Sequence, residues 1–324
     1  MNFLLKCLRL VAAGLPLLAT AAHGEPAYPS RPIRILVGFS PGGSNDIVAR
    51  LLAPKLSEVL GQQVLIDNRP GAGGNIAADT MLKAPADGHT LMICTTGMLS
   101  IQPSLQKVSY DPQTDIIPVS LIANTPYIAL VNAALPIHNV KELIAYAKAN
   151  PGKLNFASSG NGTAGHLAGE MLKLRAGINI VHVPYKGTGQ AMTDLLGGQV
   201  SLIFDQPISS LPYAKSGKLR VLGVASLQRL QSLPDVPTFA ESGVPGFDPV
   251  AWTGLCAAKG TPASVVARLQ HDVAQVLRQP EIAQRLSQDG MEVVGSTSDK
   301  FREFLVSDKR KWVSVIKEAN VTLN

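Results

Sequence analysis

Arg34-Ile35-Leu36-Val37-Gly38-Phe39-Ser40-Pro41-Gly42-Gly43-Ser44-Asn45-Asp46 reads as a buried strand, a glycine turn and the start of a helix. The apolar run from Ile33 to Phe39 scarcely alternates, as expected of a parallel strand covered on both faces. Pro41-Gly42-Gly43 breaks it. Ser44 or Asn45 can cap the next segment, and Asp46 falls in a first turn, where negative charge suits the helix dipole. Ile47, Val48, Leu51, Leu52, Leu56, Val59 and Leu60 then recur at helical spacing. A strand entering a helix through a glycine turn leaves backbone N–H groups at the carboxyl end of a sheet, where an anion can be held. An ordinary tight βα turn has the same sequence pattern.

Outward from this stretch, strand-like and helical runs alternate. Gln63 to Asn68 is a strand, followed by a second glycine turn at Arg69-Pro70-Gly71-Ala72-Gly73-Gly74 and a helix to Lys83. Thr90 to Thr95 is a third strand, ending in Thr95-Thr96-Gly97. This βαβαβ order implies a parallel sheet with right-handed crossovers. Val119 to Ala123 and Ile128 to Val131 are split only by Asn124-Thr125-Pro126, with no helix between, as where a chain leaves one domain for another. The scheme then repeats. Leu154 to Ala157 is a strand, Ser158 to Thr163 is a third glycine-rich turn, and Asn179 to Pro184 ends in Tyr185-Lys186-Gly187. Val200 to Phe204 is closed by Asp205, Leu219 to Ala225 follows, and Val250 to Ala258 resembles a return crossing. Three final helices are expected to cover the first sheet. The fold class is therefore α/β, a two-domain clamshell with two crossing strands and a cleft at the facing strand ends. Residues 25–125 with 250–324 form one expected domain and 126–249 the other.

Composition sets the compartment. Lys6 and Arg9 precede an apolar Leu10–Ala22 run too short to span a bilayer, and Ala22-His23-Gly24 fits a cleavage site. Residues 1–24 are thus an expected signal peptide, with a soluble mature chain in the periplasm. An uncleaved anchor is the alternative. Formal net charge is +6, of which the leader supplies two positives; the rest are scattered, so no nucleic-acid partner is expected. Removing Cys7 leaves Cys94 and Cys256 in separate apolar strands. The compartment permits a disulfide, but two free core thiols are the expectation.

Chemistry-bearing patterns are sparse. Gly160-Asn161-Gly162-Thr163-Ala164-Gly165 matches G-x-G-x-x-G, yet the next strand ends in His182-Val183-Pro184-Tyr185-Lys186 with no acid for a ribose. The same geometry suits a smaller anion. His89, His138, His166, His182 and His271 show no metal spacing. His166 could face the cleft or simply pack; His182 reads as a satisfied core histidine. Lys186 reads as a solvated loop lysine. Asp205 could orient a ligand hydroxyl or cap a turn. No catalytic residue, metal or cofactor is expected. A secreted α/β hydrolase is the enzymatic alternative and lacks a nucleophile–base pair at recognisable spacing.

Several of these stretches are similar to one family's motifs. Pro41-Gly42-Gly43-Ser44-Asn45-Asp46-Ile47-Val48-Ala49-Arg50 resembles the first signature of the Bug family, extracytoplasmic solute receptors of tripartite tricarboxylate transporters. Asn68 to Gly74 resembles the second, Pro184 to Gly187 with Asp194 to Gly198 and Asp205 the third, and Leu233-Pro234-Asp235-Val236-Pro237-Thr238 a late one. The resemblance implies a type II periplasmic-binding-protein fold and no cofactor. It implies a small carboxylate (a dicarboxylate, tricarboxylate or aromatic acid) between the domains, and transient contact with membrane transporter subunits. The receptor is expected to be a monomer. One carboxylate would be held at Ser158 to Thr163; the other end would be reached through waters bridged by Phe39–Asp46 and Pro184–Gly187. No arginine stands in these loops to clamp a second carboxylate. A periplasmic sensor of the same fold is the alternative role. The expected ligand-binding set is Phe39, Ser40, Gly42, Gly43 and Asp46; Thr95; Ser158, Gly160, Asn161, Gly162, Thr163 and His166; Tyr185, Lys186 and Gly187; and Asp205.

Overall fold

A computed structural model describes residues 28–322; the expected leader, its cleavage site and Cys7 lie outside the described residues. The chain opens with β1 (Ile33–Val37), α1 (Ser44–Leu60), β2 (Val64–Asn68), α2 (Asn75–Leu82), β3 (Thr90–Thr95) and α3 (Gln102–Leu105). β4 (Ile116–Thr125) and β5 (Tyr127–Asn132) make the first crossing. α4 (Val140–Ala149), β6 (Asn155–Ser158), α5 (Ala164–Ala176), β7 (Val181–Pro184), α6 (Thr188–Leu196), β8 (Leu202–Asp205), α7 (Pro207–Lys215) and β9 (Leu219–Ala225) follow. β10 (Ala251–Ala258) returns, before α8 (Ala263–Leu277), α9 (Pro280–Gln288), β11 (Glu292–Val293) and α10 (Ser298–Glu318).

Two sheets result, ordered β11-β4-β10-β3-β1-β2 and β7-β6-β8-β5-β9. β1 pairs in parallel with β2 and β3, as the βαβαβ reading requires. The crossing strands do not: β10 is antiparallel to β3 and β4, and β5 is antiparallel to β8 and β9. The sheets are mixed because a strand entering from the other half of the molecule arrives from the opposite end. β1 shows why its sequence does not alternate. Ile35 and Val37 pack under α1 with Val48 and Leu52, while Leu36 packs on the other face with Ala77, Ala78 and Met81. β6 repeats this, with Phe156 against Leu167 of α5 and Ala157 against Leu195 of α6.

Three expectations need correction. Cys94 and Cys256 form a disulfide. Their strands, far apart in sequence, are adjacent, and the register places Cys94 opposite Gly254, so the Cα atoms lie 5.9 Å apart. Neither Ser44 nor Asn45 caps α1: Gly43 holds the cap position without a side chain. Ser44 Oγ instead meets Ser209 Oγ at 2.8 Å, and Asn45 Oδ1 accepts from Thr253 Oγ1 at 3.0 Å. Finally, α10 does not belong to the first sheet alone. Phe301 packs with Trp252 on the first, but Trp312 and Val315 enter the core beneath the second.

Candidate functional site

The carboxyl ends of both sheets face each other, and the loops between them touch. Ser40 N–H donates to Lys186 O across the gap at 3.0 Å. A Cβ on Gly187 would fall 2.6 Å from Ser40 N, and one on Gly189 would collide with Pro41 O. A Cβ on Gly97 would fall 3.2 Å from Gly162 O and one on Gly73 2.9 Å from Asn161 O. Glycines therefore form the seam because backbone meets backbone there.

Inside the seam is a cavity of about 30 Å³ lined by Phe39, Asn45, Thr95, Thr96, Gly97, Tyr127, Ser159, Thr163, Ala164, Gln206, Ala251 and Trp252. That is room for about two waters, so a larger occupant must part the loops. The starts of α1, α5 and α7 converge on it, each bringing the positive end of a helix dipole. Thr95 Oγ1 and Gln206 Oε1 are buried in its wall without a partner among the described residues, and Asp205 Oδ1, Thr125 Oγ1 and Ser40 Oγ are likewise unpartnered there. Outside the seam a trough of about 550 Å³ runs between Gly71–Gly73 and Gln106 on one side and Gly160, Asn161, Tyr185, Lys186 and Gln190 on the other.

Apart from Asp205, buried at the end of β8, the expected site residues fall into four groups. Phe39, Thr95 and Thr163 line the cavity, while Gly160, Asn161, Tyr185 and Lys186 line the trough. Ser40, Gly43, Gly162 and Gly187 form the seam. Asp46, Ser158 and His166 are turned inward, into the supports of the loops, and Gly42, itself exposed, gives its N–H to Asp46. Asp46 accepts from Gly42 N–H, from Asn68 Nδ2 and, with both carboxylate oxygens, from Arg50 Nε, at 2.9–3.0 Å. Burial alone would raise its carboxyl, but these donors hold it below the usual range. Arg50 thus points back to the turn rather than away from it. Ser158 Oγ pairs with His182 Nε2 at 2.6 Å and with Gly160. Gly162 N–H donates to His166 Nδ1 at 3.2 Å. Thr163 Oγ1 donates to Gly160 O at 2.7 Å and accepts from His166 N, capping α5. Much of the backbone N–H expected to be free is therefore spent on stiffening the loop.

His166 and His182 stack at 3.9 Å between ring centroids. Burial lowers them to about 4 and about 3, aided by Lys173 and, for His182, by His166, so both are neutral bases at neutral pH. Burial pushes Asp205 up to about 6, against hydrogen bonds from Ser209, the Gln206 amide and Ser210. Tyr127, raised by burial and by Asp205, stays a phenol. Asn45, Ser159 and Gln206 escaped the expected set although each adjoins a chosen residue. Tyr127 and Trp252 carried no signal, because hinge residues reach the cleft only through the tertiary fold. Among the described residues no arginine lines cavity or trough. Among the described residues no group of three His, Cys, Asp or Glu side chains could hold a metal ion, and no helix is long and apolar enough to cross a membrane.

Comparison with known proteins gives the geometry a context. The profile described as "Tripartite tricarboxylate transporter family receptor" matches residues 48–321. Protein BugT of Bordetella pertussis is 36% identical over 324 residues, covering 97% of this chain and 98% of its own. The periplasmic binding protein BugD superposes with a TM-score of 0.88 at 38% identity, covering 91% of this chain and 99% of BugD. An R. palustris protein solved with adipate gives 0.88 at 37% identity, covering 91% and 99%. These are binding receptors, not enzymes, and the solved ones share the two-sheet clamshell.

Proposed function

Since this chain belongs to the tripartite tricarboxylate transporter receptor family, as a periplasmic solute-binding receptor of the Bug type, we propose that it captures a small carboxylate between its two sheets and delivers it to a membrane transporter. Residues 25–125 with 250–324 and residues 126–249 would be the two halves that close on it, after removal of the leader. One observation carries the ligand class: three helix starts and several unpartnered buried polar atoms converge on one cavity. Positive dipole ends facing each other repel, and an anion between them relieves that repulsion. The first turn of α5, from Ala164 onward, is the proposed seat of one carboxylate. Of its amides, Gly165 N–H already reaches the Tyr127 phenol and His166 N–H the Thr163 hydroxyl, which leaves Ala164 N–H without an intrahelical acceptor. Adipate in the R. palustris relative supports a dicarboxylate. Without an arginine clamp, the far end would be held by polar side chains and water.

Native mass spectrometry of protein purified without added ligand, followed by calorimetry with the acid recovered, tests this. A retained small acid, bound one to one and recovered unchanged, is expected. Catalytic conversion of that acid, or no binding of any carboxylate across a mono-, di- and tricarboxylate panel, would overturn it.

A further inference from the structure

Away from the cleft, α10 presents Arg302, Leu305, Val306 and Lys309 at positions i, i+3, i+4 and i+7, on one helix face. Opposite stand Leu99, Pro112 and Pro118, and the groove between encloses about 240 Å³. Val306 is 42% exposed, although its neighbours are apolar. Arg302 is exposed and Lys309 half-buried at the rim, and neither enters an ion pair among the described residues. The groove is thus apolar in the middle and cationic at both ends.

We propose that this groove docks an acidic amphipathic segment of the receptor's membrane-embedded partner, an inference that rests on the receptor function above. Charge complementarity selects the occupant. Seven residues of helix separate the two cations by about 10 Å along the axis, so a single small carboxylate reaches one and leaves the other. A second copy of this chain packed about a two-fold axis would set the same cations against each other. A peptide with an apolar anchor between two acidic residues satisfies both ends and fills the middle. The position of the groove adds a reason. Asp308, between Val306 and Lys309 in sequence but facing inward, accepts from Ser100 Oγ at 2.6 Å and from Trp252 Nε1 at 2.7 Å. Trp252 lines the cleft, and the end of α10 lies in the core of the second sheet. A partner gripping this face of α10 holds a helix that touches both halves and the ligand cavity.

The probe is a labelled synthetic peptide with two glutamates seven positions apart flanking leucine and phenylalanine, titrated by fluorescence anisotropy against the full mature chain. Saturable binding that weakens with salt is expected, with at least a tenfold loss in the doubly substituted Arg302→Glu/Lys309→Glu protein. Unchanged circular dichroism and carboxylate affinity would show that the double variant folds; Val306→Asp supplies a second variant. Equal binding by wild type and variants, or equal binding of a lysine-bearing counterpart peptide, overturns the inference. So does full displacement by octanoate at the affinity of a free small-molecule site, or a dimer in sedimentation that the double substitution dissolves. The transporter's membrane subunits in nanodiscs form the second arm. If they bind wild type and the double variant alike, the groove is not the dock. If they ignore wild type while the peptide still discriminates, the receptor reading falls and the acidic-segment site stands.

Discussion

Asp205 ends β8 with its carboxyl buried, Oδ2 taking the Ser209 hydroxyl at 2.6 Å and Oδ1 taking no partner. Its pKa in the fold, about 6, lies above the ordinary 3.8. The folded state therefore prefers the protonated acid, and this contribution to stability is full below about pH 4 and lost as pH rises through about 6. Asp205→Asn should be the more stable protein at pH 7, by on the order of 2–3 kcal/mol. Urea midpoints measured from pH 4 to 8 should separate across pH 4 to 6 and then run parallel; a gap independent of pH would refute the assignment. The histidine pair has the opposite slope. Both are held neutral below the ordinary 6.5, so their contribution is full above about 6.5 and lost as pH falls toward about 4 and about 3. His182→Gln, which cannot take a proton, should flatten the acid limb of the melting-temperature profile.

At the level of elements, the glycine seam makes closure possible. Gly189 lies in α6, where the helix tolerates a side chain, yet its Cβ would collide with Pro41 O on the other half. Gly189→Val should therefore fold normally, resist closure and bind its carboxylate at least tenfold more weakly. Small-angle scattering should show no compaction on adding ligand, and wild-type compaction in the variant would sink this account. Thr163 acts on a different element. Because its hydroxyl caps α5 and holds Gly160 O, Thr163→Ala should cost about 1 kcal/mol of stability. Its effect on affinity should come through a loosened loop, not through a lost donor to the ligand. A variant with unchanged denaturation would contradict the cap.

For the molecule as a whole, the Cys94–Cys256 bridge spans 162 residues and ties the return strand β10 to β3, beside the cleft. Everything between those cysteines, including the whole second sheet, lies inside the closed loop. Replacing both with alanine should lower stability by about 2–4 kcal/mol. Thiol titration of the denatured, unreduced mature protein should find neither cysteine free, whereas two titratable thiols would restore the original expectation.

The sequence alone determined the local plan. Ile33–Phe39 without alternation meant a strand covered on both sides, Pro41-Gly42-Gly43 meant a turn into a helix, and the repeat of that scheme after Pro126 meant two sheets with a crossing between. These are short-range properties, set by which dihedrals and faces a few neighbouring residues permit. The tertiary structure decided which groups those turns leave available. Asp46, Ser158 and His166 sit in the predicted loops but spend their polar atoms on Arg50, Asn68, His182 and Gly162. Whether two cysteines in apolar strands become a bridge depended on β10 inserting beside β3. The placing of Tyr127, Gln206 and Trp252 around one cavity likewise depended on where the crossing strands bend. Some of these contacts are local, as Asp46 with Arg50, but the bridge joins residues 162 positions apart, and no local dihedral preference encodes it, because burial and partners of that kind exist only once distant strands are packed together.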